Sequence, residues 1–354
     1  MGFAARVASL KPALPTSVLI ASLLLAALLP ASAQTPPPEF RPVRPEMEKF
    51  IAQMVRAHGF DAKSLRNVFA KVQTSQGVIR AITAPSTSKP WYEFKPLFVD
   101  AQRISGGVTY WNDNAELLER ARKEFGVPEA VVVSVIGIET RYGKRTGNFR
   151  VMDALSTLAF DVPSRADYFK RELEQFLLLA REQQWDPLSI NGSFAGAMGM
   201  PQFMPSSYRR YAVDFNADGY TDLWKDQADV IGSVASYLRQ SGWKEGTPIV
   251  APARVDVPDW KALVDLGLKP SLTLEQWKMR GVDTIANVQI SLPASLFTLD
   301  LLGGPEFWFG FENFYAILQY NRSRNYAMAV NELAQEITRE RERVAAGEGT
   351  IGVQ

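Results

Sequence analysis

The chain has 354 residues, 46% of them hydrophobic, and 39 basic side chains nearly balance 38 acidic ones, for a formal net charge of +1. That balance gives nucleic-acid binding no electrostatic footing. The absence of cysteine excludes disulfides, thiolate metal sites and a cysteine nucleophile. One histidine, His58, leaves a histidine-built zinc site without its second ligand and makes a serine–histidine triad improbable.

Residues 1–33 read as a secretory signal peptide. Arg6 and Lys11 form a basic start, Val18 to Leu29 an apolar run, and Ala31-Ser32-Ala33 a small-residue cleavage site. The run is too short for a stable membrane anchor. Loss of the signal's two cations leaves a soluble mature chain, expected in the periplasm, with net charge −1. Residues 34–45 are a proline-rich linker. Roughly 320 residues remain, enough for one large catalytic unit with lobes.

Met47 to Val72 shows helical periodicity, with His58 as an ordinary surface residue. Lys89 to Phe98 reads as an aromatic, proline-rich connection, and Val108 to Phe125 as a helix stopped by Gly126. Val127 to Gly143 is apolar in every direction around a helix axis, which describes a buried helix, with a buried parallel strand as the competing reading. Pro128 suits its start and Gly143 its stop. The one carboxylate near its end is Glu139, and Arg141, two positions on, does not face it along a helix. A carboxyl with little solvent and no adjacent cation has a raised pKa, as a proton donor requires. Read alone, a glutamate near a helix end is usually just the solvated end of a core helix.

Phe169 to Gln184 and Asp229 to Ser241 are amphipathic helices. Thr247 to Val257 and Val288 to Leu299 alternate like short strands around a helical Leu272 to Met279, giving a small β-rich lobe at about 246–305. Phe314 to Ile337 returns to helix, and Arg339 to Gln354 is a charged, fraying tail, disordered from 346 to 354. The fold class is mainly α, with one small β lobe.

Three further stretches carry chemistry. Ser193 to Ser207 combines small residues at 195–199 with the amide of Gln202 and the apolar Phe203 and Met204. Flat apolar surface beside amides suits a saccharide, and a glycine-rich turn before a capped helix has the same composition. Asp214-x-Asn216-x-Asp218-Gly219 opens like an EF-hand calcium loop. Position twelve is Lys225, which cannot ligate, so Asp229 would close a longer loop; an exposed Asp/Asn/Gly turn reads the same way. The aromatic clusters Phe307-Trp308-Phe309 and Tyr320-Asn321 with Tyr326 are core or cleft lining.

Together, Glu139-Thr-Arg-Tyr-Gly, Gly-Ala-Met-Gly-x-x-Gln-Phe-Met-Pro-Ser-Ser, the Asp-x-Asn-x-Asp-Gly loop and Tyr-Asn-x-Ser, in this order over about residues 46–330, resemble the lytic murein transglycosylase B family (glycoside hydrolase family 103). The resemblance implies a lysozyme-like core with an α lobe and a β lobe, forming one catalytic unit over 46–345. It implies cleavage of the MurNAc–GlcNAc β-1,4 bond of peptidoglycan glycan strands, leaving 1,6-anhydroMurNAc ends. By motif, Glu139 is the single acid/base, and Ser193, Gln202, Phe203, Tyr237, Tyr320, Asn321 and Tyr326 belong to the groove. Arg165 and Tyr168 match sugar or peptide contacts. Asp214, Asn216, Asp218, Tyr220 (by its carbonyl) and Asp229 match a structural calcium site; the chemistry itself needs no cofactor. Cell-wall synthesis enzymes are the class of protein partner such an activity implies. The chain departs from its relatives in three places: Ser164 replaces a second arginine, the calcium loop is one residue longer, and there is no cysteine for a lipid anchor. A hydrolytic muramidase using Asp153, Asp161 or Asp167 as second carboxylate, and a non-catalytic glycan-binding scaffold, are the rival readings.

Overall fold

The computed structural model describes residues 43–83 and 89–348. The signal, most of the linker and the end of the tail lie outside the described residues. The chain opens with α1 (Pro45–His58), α2 (Ala62–Phe69) and α3 (Gln76–Ile82), so the periodic stretch 47–72 is two helices. Gly59 ends the first in a left-handed C-cap, and Asp61 caps the second through the amide of Ser64. The aromatic stretch expected to be a connection is helix α4 (Trp91–Phe98). Burial of Trp91 and Phe94 holds it despite Pro96 in its interior. Next come α5 (Ala101–Asp113) and α6 (Ala115–Phe125), a break at Asn114 that the periodicity did not reveal.

Helix α7 (Glu129–Thr140) runs through the middle of these. Every residue from Ala130 to Ile138 is buried, as an all-apolar helix requires. It packs against α5, α6 and two later helices, α11 (Gln227–Gln240) and α15 (Arg324–Ala345). Between α7 and α11 lie α8 (Val151–Asp161), α9 (Ala166–Glu182) and the short α10 (Pro205–Tyr211). Helices α8 and α9 share a second hydrophobic core with α1 to α3, built on side chains such as Met54, Phe69, Leu155 and Phe176. A two-residue ladder, β1 (Phe149–Arg150) with β2 (Asn191–Gly192), joins the loops at the ends of this core.

The β-rich part is a four-stranded antiparallel sheet with β3 (Val250–Pro252), β8 (Gly304–Gly310), β7 (Pro293–Leu301) and β5 (Leu272–Thr273) side by side in that order. A small ladder, β4 (Arg254–Val255) with β6 (Val282–Asp283), and the helices α12 (Trp260–Val264) and α13 (Leu274–Lys278) complete it. Trp277, Leu296 and Phe309 centre a third core there. The cluster Phe307-Trp308-Phe309 is strand β8, paired across a tight hairpin to β7 in the register Leu301↔Gly304. Helix α14 (Glu312–Tyr320) leads back, and α15 carries on through the stretch expected to fray, as far as Ala345.

Candidate active site

Helix α7 ends immediately beyond Glu139. Arg141, Tyr142 and Gly143 follow with φ of 51°, 60° and 84°, three consecutive left-handed residues. For the two with side chains this costs on the order of 1–2 kcal/mol each, so the surroundings must impose it. Tyr142 folds back along α7 and donates its hydroxyl hydrogen to the Arg103 carbonyl at 2.6 Å. A Cβ at Gly137 would come within 2.5 Å of that hydroxyl, so only glycine there leaves room for the ring. Buried Arg103 donates to the carbonyls of Gly137 (3.1 Å) and Leu97 (2.7 Å), tying the last turn of α7 to the start of α5. Arg141 turns away to Gln102 and Asp100. The positioning roles of Arg103, Gly137 and Tyr142 were not read from the sequence. Their signal was a glycine two positions before the glutamate and Arg-Tyr-Gly two after it.

Glu139 itself is half-buried. Its pKa is pushed up from 4.5 to about 7 by burial, opposed only in part by the hydrogen bond that Tyr326 donates to its Oε1 at 2.6 Å. The carboxyl also sits at a helix C-terminus, where unpaired carbonyls disfavour negative charge. Tyr326 reaches it because Ser323 caps α15 through the Tyr326 amide, which places the ring in the first turn. Tyr326 stacks on Tyr320 with centroids 6.4 Å apart, and Tyr320 donates to the Pro201 carbonyl at 2.5 Å. Asn321 ends α14 and accepts from the Ser323 amide through its carbonyl, shaping the turn between the two tyrosines.

The glycine-rich block lies against this end of α7. Thr140 Oγ1 donates to the Met200 carbonyl at 3.0 Å. Gln202, itself left-handed at φ 52°, donates its amide hydrogens to the carbonyls of Thr146 and Gly199. Its N–H groups therefore pin the loop after Glu139, leaving its oxygen as the acceptor to offer a ligand. Ser193 Oγ accepts from the amides of Ala195 and Ala197 and shapes its own turn. Phe203, expected as saccharide surface, is 2% exposed. It lies behind Tyr237 and Tyr320, with centroids 5.4 and 5.8 Å away, because the alternation of its loop turns it into the second core. Tyr237 continues the aromatic row 4.5 Å from Tyr320 and donates to the Gln319 carbonyl. Farther out, exposed Tyr168 carries the Arg165 guanidinium over its ring at 5.7 Å.

The acidic loop stands behind the glycine-rich block. Met200 donates its amide to the Leu223 carbonyl at 2.7 Å, and Gly199 is so close to that carbonyl that a Cβ would clash. Asp214 accepts from the amides of Asp218 and Gly219, and Asp218 from that of Tyr220. The Asn216 amide bridges Asp218 and Asp226. Buried Asp229 accepts from Phe215 at 2.8 Å and Asp222 at 2.7 Å, bracing the loop across its width. Burial, helped by the charges of Asp226 and Asp214, raises its pKa against those two bonds. Such a donor set, all hard oxygens with like charges crowded together, suits calcium. Among the described residues, however, no three carboxylates stand at metal-binding spacing, since the side chains turn onto loop amides. The Tyr220 side chain is exposed.

Of the three carboxylates that a hydrolytic mechanism could recruit, two are engaged in other contacts and one is exposed. Asp153 is held by Arg150 and the Gln73 amide, Asp161 by Arg44 and Thr74, and Asp167 lies exposed in the first turn of α9.

The model of the transglycosylase SLT domain matches residues 42–335. The chain is 41% identical over 303 residues to the membrane-bound lytic murein transglycosylase B of Escherichia coli strain K12, covering 83% of this chain and 82% of the relative. Among solved structures, the soluble lytic transglycosylase SltB1 from Pseudomonas aeruginosa matches with a TM-score of 0.79 at 48% identity, covering 84% of this chain and 100% of that one. The Escherichia coli lytic transglycosylase Slt35 in complex with calcium matches with a TM-score of 0.76 at 40% identity, covering 84% and 94%. The fold is thus the mainly α, lysozyme-like one expected from the motifs. With motif, site geometry and fold in agreement along most of its length, the chain belongs to the transglycosylase SLT-domain family of lytic transglycosylases.

Proposed function

We propose that this protein is a peptidoglycan lytic transglycosylase in which Glu139 alone serves as acid and then base. The observation that carries the reading is a single carboxyl, raised to about 7, at the head of a row of tyrosines. Protonated Glu139 gives its proton to the glycosidic oxygen as the C1–O bond of the muramoyl residue breaks. The residue's own 2-acetamido carbonyl supports the developing cation, so no second carboxylate is needed. The C6 hydroxyl then closes onto C1, and the Glu139 carboxylate takes its proton. One C–O bond breaks, one forms, no water is consumed, and the acid is regenerated. An intramolecular hydroxyl outcompetes water through effective molarity if the site holds it in line. Tyr326 keeps the carboxyl oriented, Gln202 and Thr140 hold the two loops together, and Ser193, Asn321, Tyr237, Tyr320, Arg165 and Tyr168 line the strand's path. Phe203 backs that wall.

The catalytic unit on this reading is 46–345, following a cleaved signal at 1–33 and the linker at 34–45, and the protein works in the periplasm without a lipid. The signal-like start and the lack of cysteine support that placement. Calcium, if held, is held by Asp214, Asn216, Asp218, the Tyr220 carbonyl and Asp229, and stiffens the loop behind Met200.

Mass spectrometry of the products from purified peptidoglycan tests the reading. Muropeptides lighter by one water, with anhydro ends, are expected. Reducing ends would instead make the protein a muramidase, and intact strands a binding scaffold.

A further inference from the structure

The left-handed turn at residues 141–143 is held from two sides, and one side chain outside it touches both holders. On one side the Tyr142 ring fits among Gly106, Gly107 and Gly137, where an added Cβ would come within 2.9, 2.7 and 2.5 Å of it. Tyr110 stacks on that ring with centroids 5.4 Å apart. On the other side the Met200 thioether lies against Gly143, where a Cβ would meet its methyl carbon at 2.8 Å. The Met200 carbonyl takes the Thr140 hydroxyl hydrogen, and Thr140 Oγ1 accepts from the Gly143 amide at 3.0 Å. Gln227 joins the two sides. Its Oε1 accepts from the Tyr110 hydroxyl at 2.7 Å, and its Nε2 donates to the Met200 sulfur at 3.7 Å. A carboxamide offers an acceptor and a donor at one end, so a single side chain satisfies a buried phenol and restrains a flexible thioether. Gln227 is itself fixed as the first residue of α11, because the Asp226 carboxylate before it caps that helix through the amides of Ala228 and Asp229.

Relying on the function proposed above, we infer that Gln227 is a positioning residue for Glu139, acting through Tyr110 and Met200 on the turn that ends α7. Its hydrogen bonds go to the turn's two holders and none to Glu139. The amides of Arg141 and Tyr142 close α7 on the Gly137 and Ile136 carbonyls, so the turn and the last helical residues move together. Left-handed residues that carry side chains are held against an intrinsic cost. When a holder slackens, the turn relaxes and the carboxyl beside it shifts and takes up water.

The test measures kcat, KM and the pH profile of anhydro-product formation in three variants. Gln227→Met keeps the length of the side chain and loses both bonds. Tyr110→Phe keeps the ring on Tyr142 and loses one. Tyr208→Phe is the control, removing a tyrosine hydrogen bond of similar length, 2.6 Å to the Thr221 carbonyl, outside this turn. In Gln227→Met kcat is expected to fall about tenfold and in Tyr110→Phe about threefold, with KM changed by less than about twofold, since displacing the acid costs rate and leaves the strand's contacts in place. In both, the alkaline decline of activity should move downward by roughly half a pH unit, because a looser turn lets water reach a carboxyl that burial holds high. Tyr208→Phe should lower the melting temperature comparably and move neither kcat nor the decline. Variants at Gln227 and Tyr110 that lose stability without shifting the decline, as the control does, overturn the inference alone. Should Gln227→Met fail to fold, Tyr110→Phe decides by itself. If the unaltered protein releases no anhydro product, the transglycosylase reading falls and takes this inference with it.

Discussion

Half-buried Glu139 and buried Asp229 both have raised pKa values, yet they are built in opposite ways. Glu139 closes a helix at its carbonyl end and has one partner, the Tyr326 hydroxyl. Asp229 begins a helix at its amide end and has two, the amides of Phe215 and Asp222. Burial is the main cause of both shifts, but like charges from Asp226 and Asp214 add to it only at Asp229. A carboxyl with one partner can exchange its proton with something that arrives. One that braces a loop with both oxygens cannot do so without loosening the loop. Burial alone therefore does not mark a catalytic acid; how few bonds hold it does.

The largest expected effect separates the two by activity. Glu139→Gln keeps the shape and removes the proton, so the rate of anhydro-product formation should fall about 10²–10⁴-fold. An active Glu139→Gln protein would end the single-acid mechanism. The same variant should become more stable at alkaline pH. A carboxyl raised from 4.5 to about 7 keeps its proton in the folded state after the unfolded chain has lost it. Stability therefore falls as pH rises from about 4.5 to 7 and stays low above that. Glutamine escapes this loss, which amounts to at most about 3 kcal/mol. Melting curves at pH 4 and pH 8 should show the gain only at pH 8.

Asp229→Ala should do the reverse. Two amides lose their acceptor, so unfolding free energy should drop by about 2–4 kcal/mol, with a much smaller effect on the rate at low temperature. Calcium sharpens the contrast. If the loop takes the ion, chelation lowers the melting temperature of the unaltered protein and leaves that of Asp229→Ala in place. A melting temperature indifferent to both calcium and chelator would leave the loop as a hydrogen-bonded turn.

The sequence showed these regions unequally. Helix α7 was legible because a run apolar on all sides has few other places to go. Glu139 stood out as the one acid near its end. The acidic loop was legible by spacing, but spacing could not tell which way its oxygens turn, and they turn onto amides. Helix α4 was hidden by Pro96, a local breaker overridden by burial of Trp91 and Phe94. Strand β8 was hidden because Phe307-Trp308-Phe309 was weighed without the Gly303-Gly304 turn that folds it onto β7. Phe203 was placed in the groove by composition, whereas its direction depends on tertiary packing. The clamp around Glu139 joins Arg103 to Tyr142, 39 apart in sequence; Gly137 and Arg-Tyr-Gly mark its local half, but nothing local points to Arg103.

The smallest effect concerns the one bond Glu139 does have. In Tyr326→Phe the ring still fills its place against Tyr320, and only the donated hydrogen is lost. That bond favours the carboxylate, so its removal raises the pKa of Glu139 further. A general acid must begin protonated, so activity in the unaltered protein should decline as pH rises through about 7. In the variant this decline should move upward by roughly one pH unit, the worth of one hydrogen bond to a charged group. The rate below the decline should drop less than tenfold, because the second step still needs a carboxylate to accept the C6 proton and a weaker partner leaves that base less well oriented. A limb that moved downward would mean that the Tyr326 hydroxyl favours the protonated acid, and that the contrast with Asp229 rests on burial alone.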